Sequence, residues 1–392
     1  MDVALVNGRV MTDQGLAHGL AVRLSGGRIA AVGPADEVAA NARPHDLAGG
    51  LLLPGFIDIQ VNGGGGALFN DAPTAKTIAA IGRAHRRFGT TGFLPTLISD
   101  ELPAVEAAIA GVQAAIAGGV PGVLGVHIEG PFLNPKRKGI HELSKLRRID
   151  EAAFELLTSL KAGRTLVTLA PETTNPEMIG RLVAAGVVVS AGHTNASYAT
   201  VRSALDRGLS GFTHLFNAMA PLTSREPGVV GAALEDAASW CSIIVDGHHV
   251  DPVVLRVALR CKPLDRFILI TDAMPSVGSD SVSFVLQGKT IAVKDGVCVD
   301  EHGTLAGSDL DMAGAVRNAV SLLGLSLAEA SRMASRNPAE FLGLGDVMGR
   351  IAPGYRGDLV LLDEGLQVLD TWIGGEAASA PGDALPGRAV HG

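Results

Sequence analysis

The chain has 392 residues, of which 47% are hydrophobic and 4% aromatic, and it carries a formal net charge of −8 at pH 7. This length is sufficient for one large domain and a smaller one. The negative charge argues against a nucleic-acid or anionic-membrane surface, so we expect neither partner, and any anionic ligand must be held by a local cluster. Cys241, Cys261 and Cys298 show no CxxC spacing and are interpreted as reduced, buried thiols of a cytoplasmic protein without a signal peptide.

Both ends of the chain show the alternating pattern of half-exposed β-strands. Residues 2–33 contain short alternating runs joined by Asn-Gly and Gly-Gly turns, which are typical of hairpins. Residues 349–374 have the same character. We therefore predict that segments 1–53 and 345–392 pair into one small β-sandwich.

The region between the two ends contains continuous apolar runs, which are typical of parallel strands buried on both faces. Eight strand–helix alternations over roughly 270 residues fit an α/β fold, the (β/α)8 TIM barrel. We predict this barrel for residues 54–344. Its strands are expected at 55–60, 91–97, 123–129, 166–170, 187–191, 211–216, 242–246 and 267–272.

Helical segments separate most of these runs, and a second β region follows the eighth strand. We predict a β insertion near 282–299, followed by a helix at about 311–323. Two of the helices show an apolar face, formed in one by Ile78, Ile81 and Phe88 and in the other by Val253, Val254, Val257 and Ala258.

Four of the predicted strands end near a residue type that binds metal ions or transfers protons. These residues are Glu129, His193, His214 and Asp272. Because the active site of a TIM barrel lies at the C-terminal ends of its strands, we expect the four to line one pocket. The alternative is that they are unrelated buried polar residues, with Asp272 capping the following turn.

Glu129, His193 and His214 together offer one carboxylate and two imidazoles. A catalytic zinc ion needs three protein ligands and one open position, and it lowers the pKa of water to about 7. We therefore predict one divalent metal per subunit, with zinc as the default, although iron, cobalt or manganese bind similar donors. Asp272 follows four apolar residues, where a carboxylate needs a partner. Beside the metal, it is placed to take a proton from water and give it to a leaving amine.

Five strings occur in order along the chain: HIEGPFLNPKRKGIH, AGHTNA, THLFNAM, VDGHHVD and TDAM. Their joint order and spacing resemble the N-acetylglucosamine-6-phosphate deacetylase family of the amidohydrolase superfamily. The resemblance extends from LPGFIDIQVNG to GRIAPGYRGDLV. It implies a metal-dependent barrel with an attached β-sandwich that acts, as a homodimer, on a phosphorylated amino sugar. The implied reaction is hydrolysis of the acetamide of N-acetylglucosamine 6-phosphate to glucosamine 6-phosphate and acetate.

The resemblance also implies catalytic roles for individual residues. Glu129, His193 and His214 match the metal ligands of the family. Asp272 matches the catalytic acid/base, and His141 matches the histidine that polarises the acetyl carbonyl and positions the sugar.

A larger set of residues is implied in substrate binding. Arg225 and His249 match phosphate contacts, which in this family can come from the neighbouring subunit, and residues 305–307 match a loop that closes over the sugar. His248 is included as the neighbour of His249, without a separate role. The whole set comprises Ile140, His141, Asn217, Ala218, Arg225, His248, His249, Leu305, Ala306 and Gly307.

One position departs from the wider superfamily, in which the first barrel strand commonly ends in His-x-His and holds a second metal. This chain has Gln60, Val61 and Asn62 instead. Because side-chain amides are poor zinc ligands, we predict one tightly held metal and not two.

Other functions remain open on the sequence alone. The galactosamine epimer or another N-acyl compound is an alternative substrate, and a non-catalytic scaffold is a remote alternative because the chain retains the ligand set. A basic cluster either steers an anionic sugar phosphate or forms a solvated face, and we favour the second interpretation. This cluster consists of Lys136, Arg137, Lys138, Lys145, Arg147 and Arg148.

Overall fold

The computed structural model describes residues 2–379, and its centre is a barrel of eight parallel strands, as the sequence predicted. Each strand pairs with the next one in chain order. The eighth strand meets the first through a bridge between Val61 and Ala273 and a 3.0 Å hydrogen bond from the Asp272 N–H to the Gln60 carbonyl. The strands are Phe56–Val61, Thr90–Ile98, Gly125–Glu129, Arg164–Leu169, Val188–Ala191, Gly211–Phe212, Trp240–Ile244 and Phe267–Ile270.

The strands that precede His214 and Asp272 end earlier than the sequence predicted. The strand expected at 211–216 ends at Phe212, and the one expected at 267–272 ends at Ile270. His214 and Asp272 instead adopt positive φ angles of 37° and 55°, which extended strands do not allow. The apolar pattern continues past the strand end, but the backbone turns there.

Helices surround the barrel, and several begin at a capping side chain. Asp311, for example, accepts the Gly314 N–H at the start of the helix expected at 311–323. No helix within residues 2–379 is both long and apolar enough to cross a membrane. The helices are Ala35–Val38, Ala75–Arg86, Leu102–Ala117, Glu151–Leu157, Pro176–Ala184, Tyr198–Leu205, Gly228–Glu235, Pro252–Cys261, Met312–Leu323, Leu327–Ala334 and Arg336–Phe341.

The apolar face predicted for one of these helices is mostly exposed. Helix Pro252–Cys261 buries Leu255 and Ala258, whereas Val253, Val254 and Val257 are 56%, 40% and 52% exposed. This helix has two apolar stripes, and the barrel covers the one that contains Leu255. The three valines therefore form an exposed apolar face on the outside of the molecule.

Both ends of the chain form the β-sandwich that the sequence predicted. A four-stranded sheet runs in the order Arg28–Pro34, Leu20–Ser25, Val3–Val6, Arg43–Asp46. A six-stranded sheet runs in the order Glu376–Ala377, Val368–Ile373, Leu359–Leu362, Leu51–Pro54, Arg9–Thr12, Gly15–Ala17. Leu5, Leu52 and Trp372 share the core between them. The exact domain boundaries stay a prediction, and residues 380–392 of the segment assigned to the sandwich lie outside the described residues.

A further sheet follows the eighth barrel strand, in the region where we expected a β insertion. It consists of Ser283–Leu286, Lys289–Lys294, Val297–Val299 and Leu305–Ser308. Leu286, Ile291 and Cys298 pack in one cluster with Ile140 and Met274, which belong to the loops at the C-terminal end of the barrel. This sheet therefore supports one wall of the site described next.

Candidate active site

The four residues singled out by the strand pattern meet at the C-terminal end of the barrel. Glu129 ends the third strand, and His193, His214 and Asp272 each lie two residues beyond the end of the fifth, sixth and eighth strands. All four line one cavity of about 500 Å³. His193, His214 and Asp272 have positive φ angles of 46°, 37° and 55°, a strained conformation that tends to cluster at functional sites.

Glu129, His193 and His214 bring three donor atoms to one point. The His193 Nε2 lies 3.1 Å from Glu129 Oε1 and 3.1 Å from His214 Nε2, and the latter lies 2.9 Å from Glu129 Oε1. All three side chains are buried. This set of nitrogen and oxygen atoms has the composition of a three-ligand metal site.

The hydrogen bonds around His193 test whether a cation fits between these atoms. Its Nδ1 lies 2.9 Å from the Arg137 carbonyl oxygen, which only accepts hydrogen bonds, so Nδ1 carries the hydrogen. In the neutral ring, Nε2 then presents a lone pair towards Glu129 Oε1. Two such acceptors are held together only by a proton or a metal ion, so the donor set fits a divalent cation.

The charges in this cluster also favour a cation. Burial raises the pKa of Glu129, but the neighbouring imidazoles of His193 and His214 lower it well below its usual value. Burial lowers the pKa of His214, but its hydrogen bond to Glu129 and the charges of Glu129 and Asp272 raise it above its usual value. Glu129 is therefore a carboxylate at neutral pH, as a metal ligand must be.

Asp272 is held by amides from the end of the first strand. Gln60 Nε2 donates to both Glu129 Oε2, at 3.2 Å, and Asp272 Oδ1, at 3.1 Å. Asn62 Nδ2 donates to the same Asp272 oxygen at 2.6 Å. Burial and the charge of Glu129 raise the pKa of Asp272 to about 6, although His214, His249 and the Asn62 hydrogen bond lower it. This carboxyl group therefore exchanges its proton close to neutral pH.

His141 lies beside the metal-compatible cluster, with its ring centre 4.4 Å from that of His193. Its Nδ1 accepts from the Ser99 backbone N–H at 3.3 Å and lies 2.7 Å from Ser99 Oγ. Burial and the charge of His193 lower the pKa of His141 to about 3. The ring is therefore neutral at pH 7 and carries its hydrogen on Nε2. Ser99 lies 42 residues away from His141 along the chain and was not predicted as its partner.

Most of the residues assigned to substrate binding line the same cavity. Arg225 and His248 do not line it and are exposed, and the fully buried Ala306 packs in the core of the insertion sheet. Lys136 and Arg137 also contribute to the wall, although we assigned their cluster to a solvated face. The lining members of the assigned set are Ile140, His141, Asn217, Ala218, His249, Leu305 and Gly307.

His249 is oriented by the carboxylate of Asp246, which was not predicted as a site residue. The Nδ1 of His249 lies 2.6 Å from Asp246 Oδ2, and the backbone N–H groups of His248 and His249 donate to Asp246 Oδ1. Burial raises the pKa of Asp246, but the hydrogen bonds and charge of His249 lower it to about 2. The carboxylate therefore holds a hydrogen on His249 Nδ1 and fixes the orientation of the ring. The only indication of this contact in the sequence was the short spacing between Asp246 and His249 in the string VDGHH.

Comparison with known proteins places this architecture in a family. Residues 51–378 match the model of the amidohydrolase family. The chain belongs to the amidohydrolase family. It is 45% identical over 372 residues to an N-acetylgalactosamine-6-phosphate deacetylase of Shewanella sp. (strain ANA-3), covering 94% of this chain and 94% of the relative.

Two solved structures resemble the fold of this amidohydrolase closely. The N-acetylglucosamine-6-phosphate deacetylase of Pasteurella multocida superposes with a TM-score of 0.94 at 35% identity, covering 97% of this chain and 100% of the other. The second structure is a mutant of the Mycobacterium smegmatis N-acetyl-D-glucosamine-6-phosphate deacetylase in complex with N-acetyl-D-glucosamine-6-phosphate. It superposes with a TM-score of 0.88 at 34% identity, covering 96% of this chain and 98% of the other.

Proposed function

We propose that this amidohydrolase removes the acetyl group of N-acetylglucosamine 6-phosphate, giving glucosamine 6-phosphate and acetate. The observation that carries the proposal is the convergence of Glu129, His193 and His214 beside Asp272 in one cavity. The proposal is supported by the similarity to two N-acetylglucosamine-6-phosphate deacetylases of known structure, one of them with this sugar phosphate bound.

One divalent metal per subunit belongs to this proposal, with Glu129, His193 and His214 as its ligands. We favour zinc because one carboxylate and two imidazoles are typical of catalytic zinc sites. A metal bound there would supply a Lewis acid and lower the pKa of water. The first strand brings the amides of Gln60 and Asn62 to this point, so a single metal is proposed.

Asp272 and His141 are proposed to act on the substrate directly. Asp272 takes a proton from the attacking water and later gives it to the amine of the leaving sugar, and a pKa of about 6 suits both transfers. The neutral His141 donates its Nε2 hydrogen to the acetyl carbonyl oxygen. This hydrogen bond stabilises the negative charge that the oxygen acquires as the carbonyl becomes tetrahedral.

The sugar phosphate is proposed to occupy the rest of the cavity. Asn217, Ala218 and the loop 305–307 contact the sugar, and His249 contacts the phosphate. Arg225 does not line the cavity of its own chain, so we propose that it reaches the phosphate bound by a partner subunit in a homodimer.

The decisive experiment measures acetate release from N-acetylglucosamine 6-phosphate by the purified protein. Turnover that disappears after chelation and returns when zinc is added supports the metal and the substrate together. Absence of acetate release by a protein with one bound metal per chain would exclude this substrate. Elemental analysis of the same preparation decides between one metal and two.

The galactosamine epimer is a second candidate substrate, and one observation favours it. The relative with 45% identity is an N-acetylgalactosamine-6-phosphate deacetylase. The two sugars differ only at one hydroxyl group, which a few contacts in the cavity distinguish. Measuring kcat/KM for both epimers under identical conditions ranks them.

A cytoplasmic location remains part of the proposal. It is supported by Cys241, Cys261 and Cys298, all of which are free thiols and are typical of a reducing compartment. The prediction that all three are buried is wrong for Cys261, which is exposed. Fractionation of the native host, with detection of the untagged protein, tests the location.

A further inference from the structure

We infer that Glu172 is a positioning residue, which holds His193 in the orientation that metal binding needs. This inference rests on the proposed function, because it concerns the same metal site. Glu172 lies in the 3-10 turn Pro171–Thr173, which follows the fourth barrel strand. That strand contributes no residue to the Glu129, His193 and His214 cluster, yet its end connects the loops that do.

The Glu172 carboxylate accepts three hydrogen bonds from two different loops. Its Oε1 accepts from Asn134 Nδ2 at 2.7 Å and from the Asn195 backbone N–H at 2.6 Å. Its Oε2 accepts from Thr194 Oγ1 at 2.5 Å. Because Asn134 belongs to the loop after the third strand and Thr194 and Asn195 belong to the loop after the fifth, the carboxylate connects these two loops.

The loop after the third strand holds His193 through both its backbone and its side chain. The Asn134 N–H donates to the His193 carbonyl at 3.0 Å, and the His193 Nδ1–H donates to the Arg137 carbonyl at 2.9 Å. Arg137 Nε in turn donates to Asn195 Oδ1 at 2.9 Å. The direction of the His193 Nε2 lone pair therefore depends on the separation of the loops, and Glu172 fixes that separation.

Through Thr194, the same carboxylate is also connected to the loop after the sixth strand. The Thr194 N–H donates to the Ala218 carbonyl, and the Ala220 N–H donates to the Thr194 carbonyl, each at 3.0 Å. Asn217 and Ala218, which line the cavity, thus belong to a third loop that depends on the position of Thr194. Loops after the third, fifth and sixth strands are all connected to Glu172.

The test replaces Glu172 by Ala and by Gln and measures zinc affinity of the substrate-free protein by competition with a chromophoric chelator. Residues that orient metal ligands typically contribute about 10- to 100-fold to metal affinity or activity. We expect Glu172→Ala to weaken zinc binding by about that factor, and Glu172→Gln, which retains one acceptor oxygen, to weaken it less. The matched control is Glu177→Ala, because Glu177 is an exposed residue that pairs with Arg207.

A double-mutant cycle with Asn134→Ala separates positioning from general stability. If Glu172 acts through Asn134, the double variant binds zinc almost as well as Glu172→Ala alone, since the pair shares one interaction. The inference is overturned if Glu172→Ala binds zinc as tightly as the wild-type protein, even if its melting temperature is lower. Absence of zinc binding by the wild-type protein instead overturns the proposed function, so the two failures are distinct.

Discussion

The amide of Asn62 provides a direct way to change the proton affinity of the proposed acid/base. Asn62 is fully buried, and its Nδ2 lies 2.6 Å from Asp272 Oδ1. Replacement by Leu keeps a similar volume but removes the donor. A hydrogen bond to a charged group contributes about 1.5 to 3 kcal/mol, and one pKa unit corresponds to about 1.36 kcal/mol. Asn62→Leu should therefore raise the pKa of Asp272 by about one to two units.

This shift should appear in the pH dependence of kcat/KM. Asp272 must be ionised to accept a proton, so activity rises with pH through its pKa, which is about 6 in the wild-type protein. In Asn62→Leu the midpoint of the acidic limb should move upward by the same one to two units, whereas the zinc affinity changes little. Asn70→Ala is the control, because Asn70 bonds the backbone of Ile98 and not Asp272. An acidic limb that stays in place refutes the assignment of Asp272 as the base.

Three further outcomes test separate parts of the site. Asp272→Asn should retain zinc while kcat falls by about 10²- to 10⁴-fold; comparable turnover would remove Asp272 from the mechanism. Mixing inactive Arg225→Ala and Asp272→Asn dimers should restore up to about a quarter of wild-type activity, since half of the dimers are mixed and each holds one complete site; no recovery after verified subunit exchange would contradict a shared phosphate site. Burial raises the pKa of Asp58 to about 7, although hydrogen bonds from Thr271 and Gln60 lower it. Its contribution to stability is therefore complete below pH 3.8 and is lost as pH rises through 7. In urea unfolding, the free energy of unfolding should fall less between these two pH values for Asp58→Asn than for the wild-type protein. An equal fall in both proteins would show that Asp58 is not the source of the pH dependence.

Hydrophobic patterning was sufficient to predict the barrel and the place of its site. Continuous apolar runs marked each buried parallel strand, and the ends of parallel strands meet on one rim. Glu129, His193, His214 and Asp272 could therefore be grouped before their distances were known. The same patterning could not show that the valines at 253, 254 and 257 are exposed, because an apolar stripe does not indicate whether the barrel or another surface covers it.

The partners of the site residues could not be predicted, because they depend on how side chains from distant segments approach each other. Ser99 contacts His141 across 42 residues, and Glu172 contacts Asn134 across 38 residues. Neither Ser nor Glu in a loop indicates such a contact by its type. Asp246 was closer to prediction, since it precedes His249 by three residues, but a short spacing alone does not show that the two side chains turn towards each other.

The left-handed residues explain why a rigid arrangement of loops is needed around this site. His193, His214 and Asp272 each occupy a backbone region that costs about 1 to 2 kcal/mol for a residue other than glycine. Such conformations persist only where the surroundings determine them. The Asp272 N–H bonds the Gln60 carbonyl, the His214 N–H bonds Ser242 Oγ, and the His193 carbonyl accepts from Asn134. Each strained residue is thus fixed by a neighbouring barrel segment, so the hydrogen bonds that connect the loops also maintain the geometry of the metal-compatible cluster.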